Sequence, residues 1–209
     1  MDEAAARTWV EATLDVPRET MERLDAFTAL LREENGRQNL VSRATLDAIW
    51  ERHIMDSAQL LRWAPSPWSS WVDLGTGAGF PGLIVAALHA GPVMLVEERK
   101  LRIEFLSRAA DLLGVAHKTE IVGRKVERVD RRVFDVISAR AFAPLPKLLE
   151  LGSRFSTNKT CWVLPKGRNA RSELEDALTS WQGDFRIEPS LTDPEAGIIV
   201  AEGVRRKKP

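Results

Sequence analysis

The stretch Asp73-Leu74-Gly75-Thr76-Gly77-Ala78-Gly79-Phe80-Pro81-Gly82 gives the clearest indication of how this chain folds. It follows an apolar run at 71–74 and precedes a stretch of helical character, so it predicts a tight turn from a strand into a helix. A cofactor lying across the carboxyl end of a parallel sheet needs such a turn and a close approach to the backbone, which side chains at the glycine positions would obstruct. Pro81 suits the first helical position, where its missing N–H costs nothing.

The spacing of the glycines separates two classes of cofactor. Dinucleotide-binding loops have the pattern Gly-x-Gly-x-x-Gly, whereas here Phe80 stands where the last glycine would admit a pyrophosphate. Asp73 is unfavourable beside a pyrophosphate, but it can organise the loop near the positively charged amino acid end of S-adenosylmethionine. The loop therefore favours S-adenosylmethionine over NAD, with Asp73, Gly75, Gly77, Gly79 and Phe80 as candidate cofactor residues. The alternative is a tight turn that binds nothing.

A second acidic position supports binding of an adenosine moiety. Glu97 ends the run at 93–96 and lies 22 positions after Gly75, where an acidic side chain can accept hydrogen bonds from both ribose hydroxyls. Glu98 is the alternative, and either acid can instead be a charge that favours the start of the next helix. The strand register favours Glu97.

After residue 67 the chain alternates between short β-rich runs and helical stretches. This alternation is typical of a doubly wound parallel sheet, so we predict an α/β, Rossmann-like fold. The β-rich runs lie at 71–74, 93–96, 134–138 and 161–164, with two final runs near 185–188 and 197–202, and the predicted helices lie at about 81–90, 100–113, 144–155 and 169–181.

The first third of the chain has helical periodicity instead. Apolar residues recur at three-to-four spacing over 17–34, ending before Asn35-Gly36, and again over 45–62, ending before the helix-breaking sequence at 65–67. We therefore predict an N-terminal helical cap over residues 1–66. Residues 67–209 form the domain that holds the cofactor site, and the two parts make one compact unit.

Composition narrows the class of protein. The chain has 209 residues, 44% of them hydrophobic, which suits a single core. The sole cysteine, Cys161, excludes a disulfide framework and favours a reducing, cytoplasmic compartment. The acidic N-terminus is unlike a signal peptide, and the longest apolar stretch falls well short of the roughly 20 residues that span a bilayer, so no membrane partner is expected.

Charge and histidine spacing set two further expectations. Lysine plus arginine and aspartate plus glutamate are both 30, so any nucleic-acid site must be a local patch. His89 and His117 have no partner at metal-ligand spacing, so no metal is expected. The sequence also has no evident hydride-transfer triad, which disfavours a nicotinamide oxidoreductase.

Five further motifs are distributed along the chain. They are Gln38-Asn39-Leu40, Arg52-His53-Ile54-Met55-Asp56-Ser57, Lys100-Leu101-Arg102-Ile103-Glu104-Phe105-Leu106, Ile137-Ser138-Ala139-Arg140-Ala141-Phe142 and Leu164-Pro165-Lys166-Gly167. Together with the glycine loop, this combination resembles the 16S rRNA guanine-N7 methyltransferase family, also known as the glucose-inhibited division protein B family. The resemblance covers roughly residues 20 to 170; the family often has an aspartate in place of Glu97, and the match after about residue 183 is weak.

The resemblance implies a fold, an activity and a partner. The fold is that of class I S-adenosylmethionine-dependent methyltransferases, with residues 67–209 as the methyltransferase domain. The activity is transfer of a methyl group from S-adenosylmethionine to N7 of a guanosine in 16S rRNA, at the family's position 527. The partner is 16S rRNA or a small ribosomal subunit particle, and we expect a monomer. A methyltransferase of another substrate and a noncatalytic RNA-binding assembly factor are the alternatives.

The resemblance also assigns residues to the site. It implies cofactor contacts at Gly75, Phe80, Val126, Glu127 and Arg140. Arg140 and Lys166 follow predicted strands at the ligand edge, so both are candidate catalytic and substrate-binding residues that position the reactants. Asn39 and His53 are candidate substrate-binding residues, and His53 shares a helical face with Asp56. Because guanine N7 presents its lone pair without deprotonation, no general base is assigned.

Overall fold

The computed structural model describes residues 1–208, which form an α/β fold around one mixed sheet. The sheet has the strand order β3-β2-β1-β4-β5-β7-β6. The strands are β1 Trp71–Leu74, β2 Val93–Val96, β3 Thr119–Val122, β4 Val136–Ser138, β5 Cys161–Lys166, β6 Trp181–Pro189 and β7 Gly197–Arg206. The helices are α1 Glu3–Thr13, α2 Arg18–Gln38, α3 Arg43–Leu46, α4 Asp56–Ala58, α5 Gly82–Leu88, α6 Lys100–Leu112, α7 Leu145–Gly152 and α8 Ala170–Leu178. The predicted Rossmann-like class is confirmed.

The order of the strands determines where a ligand can bind. Strands β1 to β5 are parallel, and β1 lies between β2 and β4, so the direction of strand addition reverses at β1. In open α/β sheets, ligands bind outside the carboxyl ends of the strands at such a reversal. Strand β7 runs antiparallel to β5 and pairs Gly197 with Lys166. The loop 190–196, which precedes β7, therefore lies at the same carboxyl edge.

Apolar side chains cover both faces of the sheet. On one face, Phe27 and Ile54 of the N-terminal segment, residues 1–66, belong to the same buried cluster as Trp71 of β1 and Phe105 of α6. On the other face, helices α7 and α8 pack over Trp162 of β5. The segment predicted as a helical cap is thus one layer of the common core.

The N-terminal segment differs from the prediction in detail. Helix α2 continues through Asn35-Gly36 to Gln38, because Asn39, with φ of +46°, adopts the left-handed conformation that ends a helix. The continuous helix expected over 45–62 is wrong: after α3 the chain forms a π-helical turn, Trp50–Met55. Glu3 of α1, a helix the periodicity did not predict, accepts hydrogen bonds from the backbone N–H groups at the start of that turn.

Other differences lie in the sheet. Strand β3 was not among the predicted β-rich runs, because its sequence Thr-Glu-Ile-Val is short and carries a charge. Strands β6 and β7 are longer than the runs from which they were predicted. Among the helices of residues 1–208, none combines the length and apolar character that a bilayer crossing requires.

Candidate active site

The glycine loop follows β1 and is held from below by Asp73. Gly75, Gly77 and Gly79 all have positive φ, at +68°, +59° and +91°, which side chains would strain. Asp73 is 0% exposed; its Oδ2 accepts from the N–H of Gly82 at 3.0 Å, and its Oδ1 accepts from Ser138 Oγ at 2.8 Å. Burial raises the pKa of this carboxyl group. Asp73 therefore organises the loop and has no exposed surface for contact with a ligand.

Glu97 connects the glycine loop to the start of α6. Its Oε2 accepts from the N–H of Gly77 at 3.1 Å, and its Oε1 accepts from the N–H groups of Glu98 and Arg99 at 2.8 and 3.0 Å. The longest of its contacts is to Arg102 Nη1, at 3.4 Å. Glu97 is 6% exposed, whereas the Glu98 side chain is exposed and faces Lys125 at 3.8 Å. Both acids line the same cleft, so the preference for Glu97 over Glu98 stays a prediction.

A cleft of about 330 Å³ opens between the glycine loop and the end of β3. It brings together four predicted cofactor residues, which are Gly75, Glu97, Val126 and Glu127. Val126 is buried and apolar, and Glu127 is exposed. A carboxylate next to an apolar wall is what the ribose and the adenine ring of S-adenosylmethionine require, and the volume lies within the range of small-molecule sites. The residues present therefore fit this cofactor.

Phe80 lies deeper than the sequence indicates. Its ring is 2% exposed, stacks on the His53 ring with centroids 4.9 Å apart, and lies 5.1 Å below the guanidinium carbon of Arg140. The expectation that this ring lines the cofactor pocket is therefore replaced by a supporting role. Phe80 holds His53 and Arg140 from beneath.

A second cavity, the acceptor cavity, has a volume of about 690 Å³ and adjoins the cleft. Four parts of the chain form its walls: the N-terminal segment, the carboxyl ends of β4 and β5, helix α8, and the loop 190–196 with the start of β7. Its polar lining includes Thr45, Arg52, His53, Asp56, Arg140, Lys166, Glu173, Ser190, Thr192 and Asp193. Ala141 and Phe142 line both this cavity and the cofactor cleft.

Arg140 is held in the acceptor cavity by the N-terminal segment. Its Nη1 donates to the carbonyl oxygen of Arg52 at 3.1 Å and to Asp56 Oδ2 at 3.2 Å, and its Nη2 lies 3.0 Å from His53 Nδ1. Burial, followed by the charges of Arg140 and Arg52, lowers the pKa of His53 to about 3. The neutral imidazole can therefore accept from Arg140 through Nδ1 and donate through Nε2 to Thr45 Oγ1, which lies 2.9 Å away.

The loop 190–196 is fastened to the same segment. Arg52 Nη1 donates to the carbonyl oxygen of Thr192 at 3.2 Å and to Asp193 Oδ2 at 3.3 Å. Thr192 Oγ1 donates to Asp56 Oδ1 at 2.7 Å. Asp56 thus accepts hydrogen bonds from Arg140 on one oxygen and from Thr192 on the other. These bonds connect the end of β4, the region of the π-helical turn and the hairpin of β6 and β7.

Lys166 fastens the loop that follows β4. Its Nζ donates to Glu173 Oε2 at 2.7 Å and to the carbonyl oxygen of Ala143 at 3.0 Å. Glu173 Oε2 also accepts from the N–H of Leu145, at the start of α7, at 2.8 Å. Lys166 is at the acceptor cavity, as the sequence predicts, but its charge is already paired.

Asn39 is exposed at the end of α2, and its neighbour Leu40 lines the acceptor cavity. The left-handed conformation at this position accounts for an asparagine without invoking a substrate. Four residues of the acceptor cavity were not predicted from the sequence: Thr45, Arg52, Thr192 and Glu173. Only Arg52 lies within a motif, and the others have no local signal, because their roles arise from contacts between distant parts of the chain.

The sequence of this chain is similar to those of known proteins along nearly its whole length. The sequence profile of one family, described as rRNA small subunit methyltransferase G, matches residues 20–193. Proteins named ribosomal RNA small subunit methyltransferase G from Zymomonas mobilis and Rhizorhabdus wittichii are 49% and 51% identical to this chain, with 100% and 98% of this chain and 97% and 94% of the relatives covered.

Solved structures support the fold alone. A ribosomal protein L11 methylase from Lactobacillus delbrueckii has a TM-score of 0.58 at 18% identity, covering 75% of this chain and 79% of that one. An RNA methyltransferase from Salinibacter ruber, solved with S-adenosyl-L-homocysteine, has a TM-score of 0.54 at 17% identity, covering 75% and 92%. The profile match and the two full-length relatives show the family: this chain belongs to the rRNA small subunit methyltransferase G family.

Proposed function

We propose that this protein transfers a methyl group from S-adenosylmethionine to N7 of a guanosine in 16S rRNA, the family's guanosine 527. The observation that carries the proposal is the pair of adjoining cavities at the carboxyl edge of the sheet. One has Glu97 next to the apolar Val126 in its lining, an arrangement suited to an adenosine moiety, and the other is large enough for an unstacked base. RNA-modifying enzymes commonly splay their target base into such a pocket.

The charges of the acceptor cavity suit a neutral base better than a phosphate. Each of its three cations has a carboxylate partner: Arg52 with Asp193 at 3.3 Å, Arg140 with Asp56 at 3.2 Å, and Lys166 with Glu173 at 2.7 Å. A guanine offers N–H donors and carbonyl acceptors, which such paired groups can satisfy through their remaining hydrogen-bonding positions. We therefore assign Arg140 and Lys166 to positioning the base through hydrogen bonds.

The chemistry requires orientation and no proton transfer from the base. Bound S-adenosylmethionine supplies an electrophilic methyl group, and guanine N7 supplies a free lone pair. The residues of this chain then have to hold the two in line and exclude other approaches. His53, fixed as a neutral side chain between Arg140 and Thr45, keeps the Arg140 guanidinium in one orientation.

The assignment of residues follows from this division of the site. Gly75, Glu97, Val126 and Glu127 line the cofactor cleft. Gly77 and Gly79 shape the loop beside it, and Asp73 holds that loop through the N–H of Gly82. His53 and Phe80 support Arg140. The partner is 16S rRNA or a small ribosomal subunit particle, the enzyme acts as a monomer, and its compartment is the cytoplasm, where that substrate is found.

The test is methylation of small ribosomal subunits and of naked 16S rRNA prepared from cells that lack the gene. The purified protein with methyl-labelled S-adenosylmethionine should produce 7-methylguanosine at one position, identified by mass mapping of RNA fragments. A methyl group on ribose, on an exocyclic amine or on another macromolecule would refute the proposal. Binding to the subunit with no methyl transfer would instead favour the assembly-factor alternative.

A further inference from the structure

We propose that Phe142 is a positioning residue whose ring stacks on the acceptor guanine at the junction of the two cavities. This inference rests on the proposed function and names a residue for its substrate side. Phe142 lies in the motif after β4, but neither its chemistry nor its spacing singled it out in the sequence.

The position of the ring comes from the packing around Gly75. A Cβ added to Gly75 would overlap the Phe142 ring, so the absence of a side chain there admits the phenyl group against the glycine loop. Phe142 is half-buried and lines both the cofactor cleft and the acceptor cavity. A base that stacks on this ring lies beside the loop that holds the cofactor.

The loop that carries Phe142 is fixed on both sides of it. Ala141, immediately before it, has φ of +50°, an unusual conformation for a residue with a side chain. Immediately after it, the carbonyl oxygen of Ala143 accepts from Lys166 at 3.0 Å, and the N–H of Leu145 donates to Glu173 at 2.8 Å. The backbone that carries the ring is therefore held by contacts that do not involve RNA.

The acceptor cavity offers two rings to a base, those of His53 and Phe142. The His53 ring is buried, stacked on Phe80 and hydrogen-bonded through both nitrogens. Of these two rings, Phe142 is thus the one available to stack on a base. Stacking on aromatic side chains is the general means by which proteins hold unstacked bases.

The chemistry of N7 methylation strengthens this assignment. Guanine is neutral before the reaction and carries a positive charge once N7 holds a methyl group. Because the face of an aromatic ring attracts cations, stacking on Phe142 becomes more favourable as the methyl group transfers. The ring should therefore contribute to kcat as well as to RNA affinity.

The experiment compares Phe142→Ala, Phe142→Leu and Phe142→Tyr with the wild type on small subunits. We expect Phe142→Ala to lower kcat/KM roughly 5- to 150-fold, the range expected for one base stacked on an aromatic ring. Phe142→Leu, which keeps apolar volume without a π face, should be impaired almost as much, whereas Phe142→Tyr should stay within about threefold of wild type. In all three, the Kd for S-adenosylhomocysteine from calorimetry should change less than about threefold, and the affinity for subunits should fall in the order of the rates.

Three results would overturn the inference. Wild-type activity in Phe142→Ala would remove the ring from the site, and equal activity in Phe142→Leu and wild type would reduce it to a space-filling group. A loss of S-adenosylhomocysteine affinity as large as the loss of rate would mean that the ring acts through the cofactor and does not position the base. Urea unfolding of each variant shows whether it is folded, and Phe142→Leu preserves the comparison if the alanine variant is not. A wild-type enzyme that forms no 7-methylguanosine would refute the proposed function instead.

Discussion

The buried neutral histidine makes the stability of this protein depend on pH in a way that can be calculated. His53 has its pKa lowered to about 3 by burial and by the neighbouring cations, whereas in an unfolded chain a histidine has a pKa of about 6.5. The unfolded chain thus binds a proton that the folded state excludes. The contribution of His53 to the free energy of unfolding is therefore complete above about pH 6.5 and is lost as the pH falls toward 3. Between about pH 7 and about pH 5, this group alone should lower the free energy of unfolding by about 2 kcal/mol, for any folded pKa below about 4.

Urea unfolding followed by tryptophan fluorescence measures this change, since the chain has 7 tryptophans. In His53→Asn the side-chain oxygen can still accept from Arg140, but the side chain gains no charge, so its loss of stability between the two pH values should be smaller by about 2 kcal/mol. Asp73, whose pKa burial raises, contributes with the opposite sign in both proteins and cancels in the difference. His117→Asn removes an exposed histidine outside the cluster and should follow the wild type. Equal losses in wild type and His53→Asn would refute a fixed neutral acceptor for Arg140.

Three further predictions concern the cofactor, the hydrogen bonds that hold Arg140, and the reaction itself. Gly77→Val should abolish S-adenosylmethionine binding in calorimetry without unfolding the chain, because φ at this position is +59°; tight NADH binding by the wild type would contradict the cofactor. Arg140→Ala should lower the free energy of unfolding by about 1–3 kcal/mol, since Asp56 and the Arg52 carbonyl lose a donor. Its rate of methylation should fall by more than this loss of stability explains. The double variant Arg140→Ala with Asp56→Ala should lose less stability than the sum of the two single variants. Additive losses in the free energy of unfolding would mean that the two side chains do not stabilise each other. The single-turnover rate should be nearly constant from about pH 6 to 9; a steep rise, abolished by removing one carboxylate or histidine, would mean that the acceptor must lose a proton and is not N7.

Much of the fold could be predicted because its signals are local. The glycine loop, with Pro81 after it, marks the first strand and helix, and the alternation of β-rich and helical runs marks the sheet. Strand β3 gave no β-rich run of its own, because Glu120 interrupts a stretch of only four residues at the edge of the sheet. The π-helical turn at Trp50–Met55 was missed because its apolar spacing also fits an α-helix.

The site was predictable only in part, for a different physical reason. Gly75 and Glu97 follow strands directly, so the carboxyl edge of a parallel sheet brings them together. The partners of Arg140 come from other regions: Asp56 is 84 positions away, and Thr192 reaches Asp56 over 136 positions. The location of the Phe80 ring under His53 likewise depends on tertiary packing. The sequence indicated that Arg140 lies at the ligand edge but gave no sign of its carboxylate partner, Asp56.

The reversed strand β7 has a consequence for the order in which the protein is made. Because β7 runs against β5, the hairpin loop before it reaches the carboxyl edge and supplies Thr192 and Asp193 to the acceptor cavity. During synthesis from the N-terminus, the strands of the cofactor cleft leave the ribosome well before this loop does. The hydrogen bond from Thr192 to Asp56 can therefore form only after the strands of the cofactor cleft have been synthesised. The residues that line the cofactor cleft are therefore all synthesised before the last residues of the acceptor cavity.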